Sequence, residues 1–115
     1  MEQTLLPLTE ATFYILLSLS AGRKHGYAIL KDVSMLSDAT LELSTSTLYG
    51  ALGRMQEQGL IERVENEHGG TAGPGLPRKA YQLTELGRSI LEAEMSRLRR
   101  MLQAGGQHLG QEPQL

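Results

Sequence analysis

The sequence predicts an α+β fold that is mainly α, and three observations carry that expectation. Apolar residues recur at helical spacing in three successive segments up to about residue 58. The period then falls from 3.6 to 2 in two short segments on either side of a Gly-rich stretch, and a helical run longer than so small a core requires follows. With 115 residues, 40% of them hydrophobic and 21% charged, the chain reads as one small domain. A domain of this size buries only about two thirds of its unfolded surface, so a second copy is a natural source of further burial.

Residues 1–8 are expected to form a flexible arm. Thr9, followed by Glu10, caps a first helix over Phe13, Ile15, Leu16, Leu17 and Leu19, with Ser20 and Gly22 supplying the stop. Apolar on nearly every side, this helix belongs inside the core. A second helix begins near His25 or Gly26 and carries Tyr27, Ile29, Leu30, Val33 and Leu36, spaced for one buried face, until "SDATLEL" breaks the pattern. In "LSTSTLYGALGRMQEQGLI" Ser44 caps a third helix whose Leu48, Ala51, Leu52 and Met55 fall at i, i+3, i+4 and i+7, and Gly59 closes it as a left-handed residue. "LIERVENE" at 60–67 and "KAYQLT" at 79–84 read as strands, with Val64 facing the core in the first and Tyr81 and Leu83 in the second. Between them "HGGTAGPGLPR" holds turn residues and nothing that packs, the composition of a long mobile hairpin loop. The last helix, capped by Thr84, is expected over 84–104, and the Gly- and Gln-rich residues 105–115 read as a disordered tail.

Three helices and a two-stranded hairpin make residues 9–83 a winged helix-turn-helix domain, an architecture that places its third helix in a DNA major groove and its hairpin at a neighbouring phosphate. Beside its apolar side the third helix displays Ser44, Thr45, Ser46, Tyr49, Gly50, Gly53 and Arg54. Small side chains permit close approach, hydroxyls and a long cation suit phosphates and base edges, and the free N–H groups of the helix start suit an anion. The same residues also read as a cap followed by two weak helix formers. Arg78 and Lys79, next to Pro77 at the base of the second strand, and Lys24 and His25, where the scaffold would cross the sugar-phosphate backbone, complete the candidate DNA contacts. A net charge of -2 gives no global attraction to nucleic acid, so the six basic against four acidic groups of residues 76–115 matter more than the total. Two rival readings use the same fold without DNA: a protein assembly module, and a ligand-binding protein.

In the last helix Leu91, Met95, Leu98 and Leu102 step by four, three and four, the spacing of a coiled-coil seam, which predicts a homodimer. Leu86 and Ile90 lie on a neighbouring line able to pack onto the domain, and Arg97, Arg99 and Arg100 form a solvated face. Catalysis finds no support. The chain has no cysteine, its histidines at 25, 68 and 108 stand in a helix start, a wing and a tail, and "GGTAGPG" lacks the Lys and Ser or Thr of a phosphate loop, so neither an enzyme, a metal site nor a cofactor is expected. The densest apolar run, "ATFYILLSLSAG", is about 12 residues, short of a membrane span, and "MEQTLLPLTE" lacks the marks of a secretory signal. A reducing cytoplasm fits the absence of cysteine.

The segments "HGYAIL", "STLYGALGRMQEQGLIE" and "PRKAYQLTELGR" occur in the order and at the spacing of the PadR family of bacterial transcriptional regulators, which the chain resembles from about Leu8 to Leu102. The resemblance implies a dimeric winged-helix DNA binder, usually a repressor released by a small molecule or stress signal, and the single C-terminal helix resembles the smaller of the family's two size classes. It marks Tyr27 and Tyr49 as the family's tyrosines of helices two and three and Arg78 with Lys79 as its wing pair. Gly50 stands where the family commonly has Pro, and Ala80 where it commonly has an aromatic residue. Tryptophan is absent, so an apolar or aromatic effector would have to be lined by Phe13, Tyr14 and methionines of the last helix such as Met95.

Overall fold

The computed structural model describes residues 5–65 and 79–110. Four helices, α1 (Glu10–Leu19), α2 (Gly26–Leu36), α3 (Thr45–Glu57) and α4 (Glu85–Leu109), surround a core to which a small antiparallel sheet contributes. Its strands are β1 (Lys24–His25), β2 (Ile61–Glu65) and β3 (Lys79–Leu83), in the order β1-β3-β2. The arrangement is a winged helix-turn-helix extended by a long terminal helix.

Local chemistry sets the helix boundaries. Thr9 accepts the Thr12 N–H, Ser44 the Thr47 N–H and Thr84 the Gly87 N–H, each hydroxyl satisfying one of the donors a helix start leaves unpaired. Gly59 follows α3 at φ +78°, a conformation that side chains with Cβ resist, and the turn it allows sends Leu60 back into the core. The Leu60 carbonyl then accepts the Thr84 N–H, and the Thr84 hydroxyl donates to the Gly59 carbonyl at 2.6 Å, so the end of α3 and the start of α4 share one junction.

Ile15, Leu16 and Leu19 of α1, Ile29 and Val33 of α2, Leu48, Leu52 and Met55 of α3 and Ile90 of α4 meet in the core. One polar cluster enters its edge. Asp32 of α2 accepts from the Ser18 hydroxyl at 2.8 Å and pairs with Lys24 of β1, tying three elements together. Burial works against the Asp32 charge, but the Lys24 and Ser18 hydrogen bonds prevail and hold its carboxyl below the ordinary value.

Several expectations need correction. The sheet has a third strand, β1, in which Lys24 pairs with Tyr81 and His25 with Ala80. Two residues are too few to show a period. In β2 and β3, Tyr81 is buried and Leu83 packs against the core as expected, whereas Val64 is only half-buried, and Ile61 and Ala80 are buried as well. Residues 5–8 do not form a free arm: Leu5, Leu6 and Leu8 pack on the core, and the Leu8 N–H donates to Glu94 Oε2 at 3.0 Å. The last helix runs to Leu109, five residues past the expected end at 104. It crosses Gly105 and Gly106, whose weak propensity of about 1 kcal/mol each the helix absorbs, and stops only where Gly110 turns left-handed at φ +72°. Leu91, assigned to the dimer seam, is 4% exposed and belongs to the core with Ile90. The wing tip and residues 111–115 of the tail lie outside the described residues.

Candidate nucleic-acid interface

The outward side of α3 is built by its cap and its spacing. Leu48, Ala51, Leu52 and Met55 face inward, which turns Thr45, Ser46, Tyr49 and Gly50 outward over the first half of the helix and Arg54 outward in its last turn. Ser44, besides capping, donates to the Thr47 hydroxyl at 2.9 Å and lies 3.3 Å from that of Ser46, giving a small group of exposed hydroxyls. Among the described residues only the Arg54 guanidinium comes within 4 Å of where a Cβ at Gly50 would be, at 3.7 Å, so the cation folds back along its own helix. Tyr49 is 42% exposed, its hydroxyl end lying on Gly26 and one side open.

The other candidate contacts divide. Lys79 begins β3, paired with Glu65 of β2, and is exposed at the base of the wing; Arg78 lies outside the described residues. Lys24 is not a free cation, because Asp32 holds it. His25 is the N-cap position of α2 and part of the sheet, and its Nε2 is buried without a hydrogen-bond partner among the described residues. Lys24 is thus engaged by an acidic partner within the protein, and His25 is fixed in the sheet at the start of α2. Two tyrosines lie close by. Tyr27, expected with Leu36 on the buried face of the second helix, is instead 72% exposed on the first turn of α2, as Leu36 is exposed at its end, and sequence reasoning missed the contact of the Tyr27 ring with Lys31 Nζ, 5.5 Å from its centre, for which the i, i+4 spacing was the available signal. Tyr81, buried on β3, has its phenol pushed up first by burial and then by the neighbouring Tyr49 phenol, against the pull of Arg63.

On α4, Gly87, Ile90, Leu91 and Glu94 face inward, while Met95, Leu98, Met101 and Leu102 are exposed, and Leu109 continues the seam spacing one heptad beyond Leu102. Glu94, 2% exposed, is held by two hydrogen bonds from Arg97 at 2.6 and 2.9 Å as well as by Leu8 N–H. The Arg97 bonds, helped by that of Leu8 and opposed by burial, keep its carboxyl below the ordinary value.

The candidate effector residues belong to α1 and α4. Phe13 and Tyr14 meet edge to face at 5.6 Å and are half-buried against the core, and Met95 is exposed on α4. A cleft of about 200 Å³ lies between Leu5, Pro7 and Thr12 and the Arg54 side of α3, and a shallower one of about 480 Å³ between Pro7 and the Arg97 and Arg100 side of α4. Among the described residues no cluster of His, Cys, Asp or Glu has the make-up of a metal site, and no helix is long and apolar enough to cross a membrane.

The sequence model of the transcriptional regulator PadR-like family matches residues 15–93, from the second half of α1 into the first half of α4. The chain belongs to that family. It is accordingly a DNA-binding transcriptional regulator with a winged-helix fold, and not an enzyme. Solved structures agree. A PadR family transcription regulator from Clostridium difficile R20291 is 27% identical with a TM-score of 0.70, over 88% of this chain and 99% of its own. A PadR-like transcription factor from Bacteroides fragilis is 30% identical with a TM-score of 0.64, over 85% and 87%. Bacillus subtilis PadR, solved in complex with operator DNA, is similar in fold at 24% identity and a TM-score of 0.62, over 73% of this chain and 45% of that one. No curated protein matches the chain significantly.

Proposed function

We propose that this regulator acts as a homodimeric repressor in the cytoplasm, each copy laying α3 into the major groove of one operator half-site and setting the base of its wing against the flanking phosphates. The observation that carries the reading is the outward side of α3, where Ser44, Thr45, Ser46, Gly50 and Arg54 leave hydroxyls, open backbone and a guanidinium with no partner outside α3 among the described residues. That side offers what base edges and phosphates accept. Lys79 supplies an exposed cation at the wing base, and the Bacillus subtilis relative similar in fold is itself solved in complex with operator DNA. The exposed Met95, Leu98 and Leu102 supply the self-association that engaging two half-sites needs. Release would come from a small apolar or aromatic effector near Phe13, Tyr14 and Met95.

Footprinting purified protein on fragments of its source genome, beginning with the region upstream of its own gene, tests the reading. A protected site of two half-sites about one helical turn apart is the expected result. Binding without sequence preference at every salt concentration would overturn it, and protein-only complexes would favour an assembly module.

A further inference from the structure

Gly26 is buried, and it is the first residue of α2. A methyl group added there would overlap the Tyr49 hydroxyl oxygen and stand 2.9 Å from Tyr49 Cζ, closer than carbon atoms pack without displacement. The missing side chain is thus a socket for the end of a side chain that comes from α3. The socket's position matters. Gly26 directly follows His25, which pairs with Ala80, and Lys24, which pairs with Tyr81, so Tyr49 reaches the point where α2, β1 and the wing strand β3 meet. The influence of Tyr49 on the buried Tyr81 phenol agrees with that placement. No hydrogen bond of the Tyr49 hydroxyl is found among the described residues, and its contact with Gly26 is one of shape.

We infer that Gly26 seats Tyr49 and that Tyr49 is a positioning residue: it braces α3 against the base of the wing and so fixes the angle at which the two DNA-contacting elements meet the duplex, while its hydroxyl reads no base. The inference rests on the reading that α3 and the wing face DNA. A brace of this kind serves specific binding, in which helix and wing must fit one register together. It contributes little to nonspecific binding, which depends on the number of phosphates neutralised.

Gly26→Ala, Tyr49→Phe, Tyr49→Ala and the double variant Gly26→Ala with Tyr49→Ala separate the alternatives when operator and random-sequence affinities are measured across a salt series, with melting temperatures alongside. Tyr49→Phe keeps the ring and should stay within about twofold of wild type for operator. Gly26→Ala and Tyr49→Ala should each lose about tenfold, the scale of one base contact, with random-sequence affinity and salt slope unchanged. Because Ala at 49 empties the socket, the double variant should bind as Tyr49→Ala does, so that the two losses do not add. Should Gly26→Ala fail to fold, the double variant, which removes the overlap, must fold and match Tyr49→Ala, or the inference fails. A Tyr49→Phe loss as large as that of Tyr49→Ala would make the hydroxyl a DNA contact and overturn the inference, as would additive losses or wild-type affinity in Gly26→Ala. Wild-type protein that binds no operator overturns the DNA reading and this inference together. Operator-binding wild type with any of the preceding results overturns the socket alone.

Discussion

Helices α3 and α4 bury the same kind of stripe in the same core and differ in what they leave outside. α3 buries Leu48, Ala51, Leu52 and Met55, and α4 buries Gly87, Ile90, Leu91 and Glu94. Outside, α3 shows hydroxyls, an open glycine and Arg54, whereas α4 shows Met95, Leu98, Met101, Leu102 and Leu109. A polar exposed face is content in water and gains from a partner only if that partner returns its hydrogen bonds and carries opposite charge. An apolar face gains from being covered by another apolar face. From this contrast we propose different partners for two helices of one small domain, DNA for α3 and a second copy for α4.

The largest effect should come from α4. Leu98→Glu together with Leu102→Glu places charges on the seam without touching the core, since both residues are exposed at 40% and 46%. Sedimentation should show monomers, and operator affinity should fall by about 100-fold or more, because linked binding to two half-sites is lost. A double variant that remains dimeric would remove α4 from the comparison.

Arg54→Ala tests α3 by the converse logic. Operator binding should weaken by about 1–3 kcal/mol if the guanidinium reads a base. The melting temperature should hold, since Arg54 is exposed. Unchanged affinity would leave the face of α3 without the cation on which its assignment to DNA leans.

What the sequence made legible follows from the range of each interaction. Ser44, Leu48, Leu52 and Gly59 announce α3 because a cap, an i, i+4 stripe and a left-handed stop are all local. The hydroxyls and Arg54 of the candidate site were legible for the same reason. Contacts between distant segments were not. β1 exists because Lys24 pairs with Tyr81, and the N-terminal segment is anchored because Leu8 meets Glu94, 86 residues away. Spacing placed Leu91 on the seam, and only the angle at which α4 crosses the body puts it in the core. The same limit explains the site: Lys24 looks like a free cation until Asp32 is brought beside it, and Gly26 looks like an ordinary helix start until Tyr49 arrives.

Glu94 stands where the buried and exposed halves of α4 meet, and pH sharpens the comparison there. Its carboxyl is held below its ordinary value of 4.5 in the folded chain, so the charged form stabilises the fold. That contribution is fully present above 4.5 and is lost as pH falls through the lower folded value. Glu94→Gln should lower the melting temperature at pH 7 by about 4–8 °C, the equivalent of roughly 1 kcal/mol in a domain this small. The gap from wild type should close as the pH is taken below 4. A gap that is the same at pH 7 and pH 3 would mean that Glu94 acts through packing and not through charge.

The smallest effect concerns how α3 is presented. The turn from α2 to α3 contains Asp38 at φ +55° and Ala39 at φ +62°, two successive residues in the left-handed region. The Ala39 N–H nevertheless makes a 2.7 Å bond to the Ser34 carbonyl, which holds the turn against that strain. A left-handed non-glycine residue costs about 1–2 kcal/mol. Glycine at the same position removes that cost but gives back about 0.4–1 kcal/mol through the larger freedom of the unfolded chain. Ala39→Gly should therefore raise stability by about 0.5 kcal/mol, read as a melting temperature 2–4 °C higher. Operator affinity should not move, because α3 is fixed by Leu48, Leu52 and Met55 in the core and not by stiffness of the turn. A drop in affinity without a drop in melting temperature would show that the strained turn, and not the packed face, sets the direction of α3, and the contrast with α4 would then rest on the loop that delivers α3 instead of on what α3 exposes.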